Sequence, residues 1–150
     1  MKQKNVLSEK AAEHFREGYN CAQSVLLTMF EHWSSYENNL IPNIATGFGG
    51  GIGRCGSICG ALAGGVMTIG IKYGTDEPSL EKRLKAYELA QKLYKQFEKH
   101  HGSVFCRELI GYDLSNPKQL EEAKKANVFE ERCSQFIRKT VEILVELSEQ

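Results

Sequence analysis

The chain has 150 residues, 41% of them hydrophobic and 25% charged, which suits one domain with a buried core that needs no disulfide staples. Lysine plus arginine equals aspartate plus glutamate, so the formal net charge is zero; nucleic-acid backbones demand concentrated positive charge, and no basic patch or tail offers it. Met1-Lys2-Gln3-Lys4-Asn5 runs into Ser8-Glu9-Lys10 without the apolar stretch of a secretory signal, and the longest uncharged run, Cys55 to Ile71, is 17 residues long and glycine-rich, too short for a convincing membrane span. A cytoplasmic address is therefore expected.

Helical periodicity dominates from the start. Residues 6–17 predict a first helix with Ala11, Ala12 and Phe15 inward and Gly18 as its stop. Asn20 followed by Gln23 has the form of a capping box and opens a second helix carrying Val25, Leu26 and Met29 that fades near Trp33. Residues 41–48 predict one or two helical turns, and Gly47–Gly56 is the least regular segment. Ser57 is a cap candidate for a helix reaching Tyr73 and stopping at Gly74. Pro78 suits the first turn of a long helix to about His100, with Leu80, Leu84, Tyr87, Ala90 or Leu89, Leu93 and Phe97 as its apolar face. Ser103 starts a short turn that Gly111 ends. Asn116-Pro117 opens another helix with Gln119 at N3. Asn127 and Glu130 form a further capping box before a last helix in which Cys133, Phe136, Ile137, Thr140, Val141 and Leu144 repeat at helical spacing. No strand alternation competes, so the expected fold is all-α: a compact single domain over residues 1–150, a bundle of about five to seven helices.

Five cysteines stand out: Cys21, Cys55, Cys59, Cys106 and Cys133. In a reducing compartment static disulfides are disfavoured, leaving catalytic, redox or metal roles, or plain packing as small hydrophobes. Their separations of 34, 4, 47 and 27 positions contain neither a zinc knuckle nor a thioredoxin-type C-x-x-C, so any joint site must be assembled by the tertiary fold. The informative pattern is their place in helices. Cys21 directly follows the Asn20 cap, Cys59 is second after Ser57 and Cys106 third after Ser103. Unpaired amides and the positive end of the macrodipole favour a thiolate there. Cys21 has no carboxylate within three residues and is expected to be the most nucleophilic. Cys133 lies deeper, on the apolar face of the last helix.

Two other features invite a function and do not sustain it. Gly51-Ile52-Gly53-Arg54-Cys55-Gly56 matches G-x-G-x-x-G, with Asp76 twenty positions on, but no strand precedes it and no P-loop lysine follows, so a nucleotide site is not expected. It reads better as tightly turned backbone that can pass close to something, lying beside the cysteines and bringing Cys55 near them. His14, His32, His100 and His101 are ligand candidates by type, yet the last two sit at a helix C-terminus, where a cation is favoured.

Cys59-Gly60-Ala61-Leu62-Ala63-Gly64 has the form C-G-A-x-x-G, with Asn20-Cys21-Ala22-Gln23 and Gly47-Phe48-Gly49-Gly50-Gly51 upstream and isolated Cys106 and Cys133 downstream. In these motifs, across essentially the whole chain, the protein resembles the C_GCAxxG_C_C family of redox-active bacterial proteins. The resemblance maps the family's four cysteines onto Cys21, Cys59, Cys106 and Cys133 and leaves Cys55 as an extra thiol. It implies a class of chemistry and no particular reaction. Thiol–disulfide or electron-transfer chemistry by these four cysteines leads, and a thiol–disulfide oxidoreductase is the enzyme class it would imply. The alternatives are a four-cysteine site for an iron–sulfur cluster or a zinc ion, and a non-enzymatic helical module. A redox partner is expected, no nucleic acid, and self-association stays open.

Overall fold

The structure is a computed structural model; it describes residues 2–35 and 37–150, so that Met1 and Tyr36 lie outside it. Among the described residues eight α-helices follow one another: α1 (Lys2–Arg16), α2 (Cys21–Trp33), α3 (Leu40–Asn43), α4 (Gly60–Tyr73), α5 (Leu80–His101), α6 (Cys106–Ile110), α7 (Pro117–Lys125) and α8 (Ser134–Ser148). A 3₁₀ turn covers Thr46–Phe48, and a π-turn over Phe129–Cys133 leads directly into α8. Among the described residues there is no strand, only an isolated antiparallel bridge between Ile58 and Phe105. The all-α expectation holds. The helices number eight because the short pieces α3 and α6 stand alone.

The hub is α4, which packs on α2, α5 and α8, while α1 lies along α8 and α2. Its glycines explain how. A Cβ on Gly64 would come to 2.5 Å from the Ala22 carbonyl oxygen, and one on Gly65 to 2.7 Å from Thr140 Cγ2 and 2.9 Å from Leu93 Cδ2. One helix face thus meets the backbone of α2 and the next meets α5 and α8 at distances only glycine permits. The fully buried side chains around it include Leu26, Met29, Leu62, Leu93, Phe97, Ile137 and Leu144.

Several local expectations are corrected. The first helix begins at Lys2, four residues early. Ser57 is not a cap: its N–H bonds Gly51 O, and Cys59 itself precedes the first residue of α4. Pro78 stays outside α5, which Ser79 caps through its hydroxyl. The apolar stripe of α5 divides, with Leu89, Leu93 and Phe97 buried and Leu80, Leu84 and Tyr87 exposed. Asn127 is left-handed (φ 56°) and joins α7 to the π-turn. Glu130 closes no capping box and instead pairs with Arg16 across to α1 at 3.2 Å.

Candidate functional site

Each cysteine reaches its place by a local rule. The Asn20 capping box forms as expected: its side chain accepts from the Gln23 amide while the Gln23 side chain accepts from the Asn20 amide. Cys21 is therefore fixed as the first residue of α2. Cys59 sits at the cap position of α4, its amide bonded to Val104 O at 2.8 Å. Cys106 is the first residue of α6, held by its amide on Ser57 O at 2.7 Å. Cys133 ends the π-turn that precedes α8, a local widening often found at functional sites.

These four cysteines, far apart in sequence, line one cavity of about 440 Å³. The Gly-rich segment supplies part of its wall. Gly50, Gly51, Ile52, Gly53 and Arg54 have positive φ in succession, a left-handed run in which a β-branched Ile52 is rare. The segment is closed by amide bonds from Gly53 to Gly47 O and from Gly56 to Gly50 O. Gly51 presses its backbone against Cys106, whose Cβ lies 2.8 Å from where a Gly51 Cβ would be. Gly49, Gly50, Gly53 and Arg54 face the cavity. Cys55 does not: it is exposed and absent from the lining. The segment lies beside the cluster as expected, but Cys55 points elsewhere because the left-handed turn carries it to the outer side, where its carbonyl accepts from Arg107 at 3.3 Å. Among the described residues no strand precedes the glycines, which removes the dinucleotide reading. None of the four histidines lines the cavity; His14 instead bonds Glu31 at 2.9 Å and ties α1 to α2.

The centre of the group is Cys21. Its sulfur lies over Gly60, where a Cβ would collide with it and would come within 2.9 Å of Phe48 O. The backbone amides of Gly50, Ala22 and Ala61, with its own, favour the ionised form of the sulfur. It thus sits at the positive ends of both α2 and α4. Its ionised form would be felt electrostatically at Cys59, Cys106 and Cys133 alike.

The expected depression of the thiol pKa values is not what the surroundings produce. Burial raises Cys21, and the four amides only partly oppose it. Burial, then the neighbouring Cys21, holds Cys59 well above the ordinary thiol range. The same two causes take Cys106 up to about 11, with Arg107 opposing, and raise Cys133. Loss of water from a charge outweighs the dipole of a helix start. The folded pKa of Cys106 exceeds the unfolded 9.0, so its contribution to stability is complete below pH 9 and is lost as pH climbs from 9 through about 11. Denaturant midpoints of the reduced protein should fall across that interval, and less steeply in Cys106→Ala. An unchanged slope would mean that the thiol is as well hydrated as in the open chain.

Sequence reasoning missed the remaining wall. Phe15, Leu109, Leu114, Leu120, Phe129 and Phe136 are apolar lining, and Arg54 and Lys124 are its charged members. The hydrophobic periodicity marks Phe15 and Phe136 as inward, but nothing local tells a cavity wall from a packed core.

By number and type the four thiols match the donor set of an iron–sulfur cluster or a zinc ion. By arrangement they do not: among the described residues no group of three or more His, Cys, Asp or Glu is placed to hold a metal ion. Among the same residues no helix is long and apolar enough to cross a membrane.

Comparison with known proteins gives a relative in Archaeoglobus fulgidus, described as an uncharacterized protein, 28% identical over 152 residues that cover 95% of this chain and 93% of the relative. No solved structure matches significantly. The model of the family described as "Putative redox-active protein (C_GCAxxG_C_C)" matches residues 19–147, a span holding all four cavity cysteines. The family's name writes its central motif Gly-Cys-Ala; here the order is Cys59-Gly60-Ala61, and Gly60 in that place makes the room that the Cys21 sulfur fills. With that match the chain belongs to the C_GCAxxG_C_C family.

Proposed function

We propose that the chain is a thiol–disulfide redox protein in which Cys21 attacks and a neighbour, first of all Cys59, resolves. The observation that carries this reading is that Cys21 shares one cavity with three further thiols at a helix start whose backbone amides favour its ionised form. Amides aimed at a sulfur stabilise negative charge where it must appear, and the thiolate is the attacking species. In the first step the Cys21 thiolate forms a bond to one sulfur of a substrate disulfide, and the other sulfur leaves as a thiolate that takes up a proton. In the second, the Cys59 thiolate attacks the Cys21 sulfur, and the second substrate thiolate departs and is protonated. Two protein thiols are oxidised to one disulfide and one substrate disulfide is reduced to two thiols, a two-electron exchange. A dithiol partner running the same steps in reverse would restore the reduced protein. The raised thiol pKa values keep the resting protein mainly protonated, so turnover should quicken with rising pH.

The competing reading is a four-thiolate metal or iron–sulfur site, which the number and type of the thiols on one cavity suggest and their arrangement does not. Protein purified anaerobically separates the two. The redox reading expects no stoichiometric metal, five free thiols when reduced, and three after one equivalent of a mild disulfide oxidant, with Cys21 in the mapped pair. Cys21→Ser should abolish that pair. Stoichiometric zinc or iron, lost when any one of the four cysteines becomes serine, would overturn the redox reading in favour of the metal site.

A further inference from the structure

We infer that the cavity accepts a small organic disulfide with an apolar body and one anionic end group; this rests on the redox reading and names its substrate class. Size comes first. About 440 Å³ is the room of a small-molecule pocket, and Cys59 and Cys106 are only 5% and 8% exposed. Cys21, the attacking residue, is itself only partly exposed on this cavity, which favours a slender molecule that can enter over a disulfide fixed on the surface of a folded protein.

The chemistry of the wall comes second. Phe15, Leu109, Leu114, Leu120, Phe129 and Phe136 form an apolar sleeve. The charged side chains on the lining are Arg54, from the left-handed segment, and Lys124, from the end of α7, and no carboxylate joins them. Both are exposed, and neither forms an ion pair among the described residues. Elsewhere three arginines are answered by acids, Arg16 by Glu130, Arg107 by Asp113 and Arg138 by Glu9, while Arg132 donates to the Ile110 carbonyl and Arg83 forms no ion pair among the described residues. An apolar sleeve with thiols on its wall and cations without acids at its rim suits a ligand that is greasy along its length and negative at one end. The carboxylate, sulfonate or phosphate would lie between Arg54 and Lys124, and the disulfide would lie toward Cys21.

The test uses probes that carry no disulfide, so its outcome does not depend on the redox cycle. The fully reduced protein is alkylated with N-ethylmaleimide in the presence of octanoate, octanamide or octyltrimethylammonium, and labelling at each cysteine is mapped by mass. Octanoate should slow labelling of Cys21 at concentrations about five- to tenfold below those octanamide needs, the discrimination one or two partly exposed ion pairs supply. The cation should protect least, and exposed Cys55 should label equally throughout. One molar salt, or the double change Arg54→Gln with Lys124→Gln, should bring octanoate to the level of octanamide. Equal protection by all three, best protection by the cation, or none by any would overturn the assignment of substrate class and leave the thiol chemistry standing. A protein that shows the octanoate preference yet fails to form the Cys21 disulfide with oxidant would overturn the thiol chemistry and leave the ligand class standing.

Discussion

Gly64→Ala is expected to destabilise the protein by about 3 kcal/mol, the upper end of what an overpacked contact costs. The new methyl would meet the Ala22 carbonyl oxygen at 2.5 Å, its Cα at 3.0 Å and its carbonyl carbon at 3.1 Å. All three are backbone atoms of α2, so no side-chain rotation can relieve the contact and the two helices must part. Gly60→Ala one turn earlier meets the Cys21 sulfur, which can swing away, as well as Phe48 O. It should therefore cost less stability and more chemistry: the displaced sulfur moves away from the backbone amides that favour its ionised form, and Cys21 alkylation at a fixed pH should slow. Denaturation of both variants with thiol mapping checks this. A Gly64→Ala protein as stable as the parent would mean that α2 and α4 are not in backbone contact. A larger loss of Cys21 reactivity in Gly64→Ala than in Gly60→Ala would mean that the sulfur does not lie over Gly60.

Phe97→Ala is expected to cost about 4 kcal/mol, as deleting a fully enclosed aromatic ring removes its burial and leaves a void. Phe97 is 0% exposed, with ring centroids 4.6 Å from His101 and 6.2 Å from Phe136. Phe136 in turn belongs to the cavity wall, so this ring supports the site from behind. The variant also has a spectroscopic signature. Burial, then His100 and Lys139, lowers His101 to about 4, and its neutral form therefore contributes stability above pH 6.5 that is lost as pH falls toward 4. Water admitted beside the missing ring should move the His101 titration back toward 6.5, readable from its ring proton shifts. A loss of less than about 1 kcal/mol, or an unmoved titration, would show that the ring is loosely held or that the void collapses.

How much of the fold and site is legible in the sequence follows from how local each signal is. The Asn20–Gln23 capping box, Gly74 after α4 and Gly111 after α6 are set by near neighbours, and the sequence alone places them correctly. Helix-start position and family motifs single out the four cavity cysteines, although Ser57 is the wrong cap and Cys133 comes with a π-turn no spacing reveals. What fails depends on distant atoms. Depressed thiol pKa values follow from the helix ends alone; the raised values follow from how deeply α2, α4, α6 and α8 bury the sulfurs. The stripe through Leu80, Leu84 and Tyr87 has helical spacing but stays exposed. Arg54 and Lys124, seventy positions apart, meet on one cavity only because the left-handed segment and α7 come to the same rim.

The π-turn and α8 bring the last wall of the cavity, and they come from the far end of the chain. Between Cys21 and Cys133 lie more than a hundred residues, so the final contacts of the site join distant parts of the chain and depend on slow loop closures. Until residues 129–148 arrive and dock, an emerging chain lacks the wall that Phe129, Cys133 and Phe136 supply, and Cys21, Cys59 and Cys106 are less enclosed than in the finished protein. Oxidative mispairing is thus a greater hazard during synthesis and refolding than in the finished protein. Pulse labelling would follow this directly: a thiol reagent given before α8 docks marks all the cysteines, and given afterwards marks Cys55 first.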